Sequence, residues 1–111
     1  MTTIYMFDVD DTLEISRGPV KLSQLVKLKQ EGNIIGICGN WAGFANAVNG
    51  WQNLISILSP IGTSKASVLY QIKTYIRADR YVLVGNHPVD FIEARDSGFE
   101  FVKEDEFKGG L

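Results

Sequence analysis

Two spacings of apolar residues alternate along this chain. Short, mainly apolar runs occur at Ile4 to Phe7, Ile34 to Cys38, Leu54 to Leu58, Tyr81 to Val84 and Phe99 to Val102. Runs of this kind, without regular polar alternation, suit strands buried on both faces of a parallel sheet. Between them the apolar positions recur at helical spacing. Leu22, Leu25 and Val26 fall on one face with Lys29, then Trp41, Phe44, Ala45 and Val48, then Val68, Leu69, Ile72, Tyr75 and Ile76. Local signals punctuate these segments. Pro19 suits a first helical turn, Gly32 a left-handed cap and Asn40 an N-cap. Gly50 closes the second helix, Ser59-Pro60 stops the third strand, Thr63 or Ser64 caps the next helix, and a further helix ends near Gly98.

Strand and helix thus alternate through short connections. The expected fold is α/β: one doubly wound parallel sheet with helices on both faces, in a single domain spanning residues 1–111. The last nine residues, KEDEFKGGL, read as a frayed tail, with Phe107 as an anchor.

Composition narrows the functional classes. Of the 111 residues, 45% are hydrophobic and 22% charged, which is ordinary globular usage. A net charge of -2 argues against nucleic acid as a charge-driven partner. One cysteine rules out an intrachain disulfide and a multi-cysteine metal site, and Cys38 reads as a small buried hydrophobe. The first residues lack the basic start and apolar core of a signal peptide, and no run is long enough to span a membrane. The expectation is a cytoplasmic protein with no membrane partner.

The first strand runs directly into Asp8, Asp10 and Asp11, followed by Thr12. Grouped carboxylates repel one another unless something compensates, and a hard divalent cation such as Mg2+ takes oxygen ligands. The carboxyl ends of parallel strands are also where open α/β sheets place their ligands. Gly39-Asn40 ends the second strand and opens a helix, where backbone N–H groups suit a phosphate. Lys65 falls in the first turn of a helix, against the helix dipole, a placement that a role in anion binding explains. His87, the single histidine, reads as a loop residue at the pocket mouth.

The segment IYMFDVDDTL resembles motif I, D-x-D-x-T, of the haloacid dehalogenase superfamily of phosphohydrolases, with Asp8, Asp10 and Thr12 in the motif positions. Lys65 is similar to the motif III lysine, and Gly85-Asn86-His87-Pro88-Val89-Asp90 resembles motif IV, G-D-x-x-x-D, with Asn86 in place of the first Asp. Motif II, normally a Ser or Thr, aligns with Gly39, or with Cys38 if shifted by one residue. The resemblance implies Asp8 as nucleophile, Asp10 as general acid/base and Lys65 as the charge that stabilises the transferred phosphoryl group. It implies Mg2+ held by Asp8, Asp10, Asn86 and Asp90, with Thr12, Gly39 and Asn40 around the phosphate.

The function so implied is Mg2+-dependent hydrolysis of a phosphate monoester through an aspartyl-phosphate. The alternative is a catalytically weakened protein of the same fold that binds a phosphorylated ligand or a protein partner, motivated by Gly39 and Asn86. The segments from Glu14 to Asn33 and from Trp41 to Ser64 are too short to hold the cap domain many relatives carry. The phosphorylated substrate is therefore a small molecule or a macromolecule, with a homo-oligomer, marked by exposed Trp51 or Phe107, as one way to close the site.

Overall fold

The computed structural model describes residues 1–60 and 64–108. Its centre is a five-stranded, all-parallel sheet in the order β3-β2-β1-β4-β5. The strands are β1 (Thr3–Asp8), β2 (Ile34–Gly39), β3 (Ile57–Pro60), β4 (Arg80–Gly85) and β5 (Glu100–Lys103). The helices are α1 (Leu22–Gln30), α2 (Trp41–Ala47), α3 (Trp51–Leu54), α4 (Lys65–Tyr75) and α5 (Pro88–Ser97). The first strand lies in the middle, hydrogen-bonded to β2 and β4, so the end of β1 is a topological switch point.

Alternation along β1 splits the core in two. Tyr5 and Phe7 face one side with Leu25 and Leu28 of α1, Phe44 of α2 and the outlying Phe107. Ile4 and Met6 face the other with Leu69 and Ile72 of α4 and Ala94 of α5. Helices cover both faces, as the buried runs require, and no cap interrupts the described residues. Among those residues, no helix is long and apolar enough to cross a membrane.

Several local expectations change. Pro19 does not open a helix: Val20 bridges to Leu13, and hydrogen bonds from Val20 N–H to Thr12 O and from Glu14 N–H to Val20 O close a small loop first. Gly18 lies so close to Thr12 that a Cβ there would stand 2.0 Å from its carbonyl carbon, so the loop needs glycine. In α1, Leu28 takes the buried place expected of Val26, which is exposed. Leu54 belongs to α3, whose end is fixed by Ile55 N–H to Trp51 O, and the third strand starts later. That strand continues through Ser59 and Pro60, as an edge position tolerates a missing N–H. Ser64 caps α4 by accepting from Ser67 N–H; Thr63 lies outside the described residues. Tyr75 points into solvent, beyond the inward stripe of Leu69 and Ile72. Trp41 is also exposed, and its ring sits 6.4 Å from that of half-buried Trp51.

The tail is anchored rather than frayed up to Phe107. That ring is 5% exposed and meets Tyr5 and Phe7 edge-on at 6.0 and 5.4 Å, so it is core and does not mark an exposed interface. Residues 109–111 of the expected tail lie outside the described residues.

Candidate active site

At the carboxyl end of β1 the chain opens a cavity of about 450 Å3 lined by Asp8, Asp10, Asp11, Lys65, Asn86, His87, Val89, Asp90 and Glu93. Each arrives by a simple route. Asp8 ends the central strand, Asn86 and His87 follow β4 directly, Lys65 opens α4, and Asp90 and Glu93 lie three residues apart on α5, hence on one face. The packing of α4 against α5 brings the lysine to the acids.

Lys65 is the organising charge. Its Nζ donates to Asp90 Oδ1 at 2.5 Å and lies 3.8 Å from Asp8 Oδ1 and 3.9 Å from Glu93 Oε1. Burial alone would lower its ammonium, but the Asp90 hydrogen bond and the charges of Asp8 and Asp90 hold it above the usual lysine range. Asp90 is itself buried, and its other oxygen accepts from His87 N–H at 3.1 Å. The His87 imidazole accepts from Val89 N–H through Nδ1, also at 3.1 Å. His87 and Asp90 together cap α5, which ties the cap of the helix to the anchor of the lysine.

Burial pushes the Asp8 carboxyl up to about 6; Lys65 pulls it down, while Asp90 and Asp10 push it further up. Asp8 is thus a partly desolvated carboxylate beside a fixed cation, the kind of perturbed group that marks a candidate functional site. Asp10 is exposed, and its Oδ1 accepts from Ser16 Oγ–H at 3.0 Å, across the loop that follows the strand. Asp11, also on the cavity wall, takes a left-handed backbone (φ 59°), which aspartate tolerates.

Three residues expected around a phosphate do not line this cavity: Thr12, Gly39 and Asn40. Thr12 is fully buried, and its hydroxyl has no hydrogen-bond partner. Asn40 spends its side-chain oxygen on Gly43 N–H, capping α2 at 3.0 Å. Gly39 sits beside Asp8, but at φ +89°, a conformation L-residues rarely adopt. The absent motif II hydroxyl therefore coincides with a backbone that favours glycine. Cys38, the shifted alternative, is buried, and burial pushes its thiol up to about 12, so it is inert.

Sequence reading overlooked Glu93 and Val89. Glu93 could have been found from its spacing to Asp90, one helical turn on.

Among the described residues, no three His, Cys, Asp or Glu side chains converge as a metal cluster. Mg2+ does not need one: it keeps several waters and is commonly held by one or two carboxylates. Asp8, the Asp10 carbonyl and the Asn86 side-chain oxygen are the groups that could hold such an ion, from the end of β1 and the start of the loop after β4. Both Asp90 oxygens already serve Lys65 and the α5 cap.

No protein-family model matches the chain, and no curated protein matches it in sequence. Among solved structures, it is similar to the NMR structure of the core domain of a candidate phosphoglycolate phosphatase from Streptococcus pneumoniae TIGR4. The TM-score is 0.65 at 18% identity, over 98% of this chain and 85% of that one. The shared feature is the fold, a single parallel α/β sheet with helices on both faces.

Proposed function

We propose that this protein is a phosphohydrolase that cleaves a phosphate monoester through an aspartyl-phosphate on Asp8. The observation that carries the reading is the grouping of Asp8 with a lysine braced by Asp90 and Glu93, at the switch point of the sheet. In the first step an Asp8 oxygen forms a bond to phosphorus as the ester P–O bond breaks, and Asp10 gives its proton to the leaving oxygen. In the second, water attacks phosphorus, Asp10 takes the proton back, and the Asp8–phosphorus bond breaks to release phosphate. Lys65 stands against the charge of the transferred group throughout. Mg2+ bound by Asp8, the Asp10 carbonyl and Asn86 would supply further positive charge at the phosphoryl oxygens.

A second reading, a weakened member that binds without turnover, is favoured by the neutral Asn86 and by the absence of Thr12, Gly39 and Asn40 from the pocket wall. Melting temperatures with Mg2+ and beryllofluoride, an acyl-phosphate mimic, separate the two when combined with phosphate release. A ligand at about 100 times its dissociation constant adds roughly 2.7 kcal/mol, or several degrees. The phosphatase reading expects this shift in the native protein, its loss in Asp8→Asn, and Asp8-dependent release of phosphate. A shift without release favours the binder; no shift and no release removes the phosphatase reading.

A further inference from the structure

Beside the acidic cavity lies a smaller hollow of about 150 Å3, and Asn86 and His87 line both. Its other walls are Pro88, Phe91, Phe101 and Lys103. The rings of Phe91 and Phe101 meet edge to face, 5.8 Å apart at 83°. Lys103 is delivered by the parallel register of β4 and β5, which pairs it with Gly85, one residue before Asn86. Phe91 is 48% exposed, and Val89, two residues earlier on α5 and on the wall of the acidic cavity, is equally so.

We infer that this hollow seats an aromatic ring carried by the leaving group of the ester, which rests on the phosphatase reading of the adjoining cavity. Size is the first reason: a cavity of roughly 150 Å3 accommodates one six-membered ring. Shape is the second, since an edge-to-face pair leaves ring surface open to a third aromatic group. Continuity is the third. With Asn86 and His87 common to both spaces, a short linker reaches from a phosphoryl group in one to a ring in the other. The Asn86 amide and the Lys103 ammonium give the seat a polar edge, which selects rings bearing acceptor atoms. Lys103 lies 3.8 Å from Asp105 in an exposed pair that a ligand acceptor can replace.

The test compares benzyl with cyclohexylmethyl compounds, whose leaving alcohols are of similar acidity, so that only the ring differs. Binding of benzylphosphonate and cyclohexylmethylphosphonate is measured by NMR titration with Mg2+, and kcat/KM is measured for the two phosphate esters. The aromatic member should be favoured about five- to tenfold in both. Phe91→Ala and Phe91→Leu should each bring the ratio close to one; Leu keeps the apolar bulk, so it separates ring recognition from simple packing. Hydrolysis of both esters at equal rates would overturn the ring seat and leave the phosphatase reading standing. A ring preference in binding without hydrolysis of either ester would overturn the assignment of the seat to a leaving group, together with the phosphatase reading. Failure of both phosphonates to bind would overturn the seat. So would a dimer that Phe91→Ala dissociates with no ring preference, since the surface would then serve a second copy.

Discussion

The two flanks of Asp8 are built from different materials. Toward α4 and α5 the neighbours are charged, and they hold one another: Lys65, Asp90 and Glu93 form a braced set, with Asn86 and His87 just behind. Toward β2 the neighbour is a glycine at positive φ, followed along the chain by an asparagine occupied with its own helix and an exposed tryptophan. Buried charge survives only where a counter-charge is fixed near it. The first flank meets that condition through α5, whose cap and lysine anchor are the same Asp90. Among the described residues the second flank shows no such device. On the proposed phosphatase reading, recognition of phosphate is therefore lopsided, and substitutions on the two flanks should differ in kind.

The largest effect belongs to the residue between the flanks. Asp8→Asn should reduce phosphate release by roughly 10^4-fold or more, measured by single-turnover assay with Mg2+. The same variant has an opposite effect on stability. Because burial raises the Asp8 carboxyl from 3.8 to about 6, the folded chain holds that proton more tightly than the unfolded chain. Its contribution is fully favourable below the unfolded value and is lost as pH rises toward 6. In metal-free protein, urea denaturation should show Asp8→Asn gaining on the native chain by up to roughly 3 kcal/mol between pH 4 and pH 7. A gap that does not change with pH would contradict the desolvated environment of Asp8.

Breaking the braced flank comes next. Among the described residues, Asp90→Ala leaves Lys65 its two longer contacts and takes the side-chain acceptor from His87 N–H. Removal of one partner from a buried pair should cost about 3 kcal/mol, read from the urea midpoint, and the loss should extend to the start of α5. On the bare flank the instructive change is restorative in appearance. Gly39→Ser adds a hydroxyl at the position that resembles motif II, yet it forces a side chain onto φ +89° and places a Cβ 3.4 Å from Asp8 Oδ1. It should destabilise by roughly 1–2 kcal/mol without raising kcat/KM. A more active and equally stable Gly39→Ser protein would show that this flank lacks only the hydroxyl.

Much of this arrangement was legible before any coordinates, for physical reasons. Strands buried on both faces leave uninterrupted apolar runs, and the polar residues that follow them fall on one edge of a parallel sheet; Asp8 and Asn86 could be placed by that logic alone. Helix phase was less legible. Val26 and Leu28 are both apolar, and only packing decides which of them turns inward. Edges were harder still: Pro60 looks like a strand breaker, but β3 is an edge strand and accommodates it. Phe107, in a polar stretch, reads as an anchor, but nothing local shows that its seat is the gap beside Tyr5 and Phe7. The positive φ at Gly39 is a property of the turn, invisible in a list of residues that could all end a strand.

Glu93 tests how finely the braced flank is tuned. Its carboxylate lies 3.9 Å from Lys65, against 2.5 Å for Asp90, and its side chain is 21% exposed against 3%. Distance and solvent both weaken it, so Glu93→Gln should cost under about 1 kcal/mol of stability, well below Asp90→Ala. Its effect on chemistry can differ in sign. Removing one negative charge near Lys65 leaves the ammonium freer to meet an incoming phosphoryl group, so KM for a phosphate ester should fall slightly while kcat holds. If Glu93→Gln instead raised KM and destabilised the chain as much as Asp90→Ala, Glu93 would be a principal anchor of the lysine, and the bracing would be shared rather than centred on Asp90.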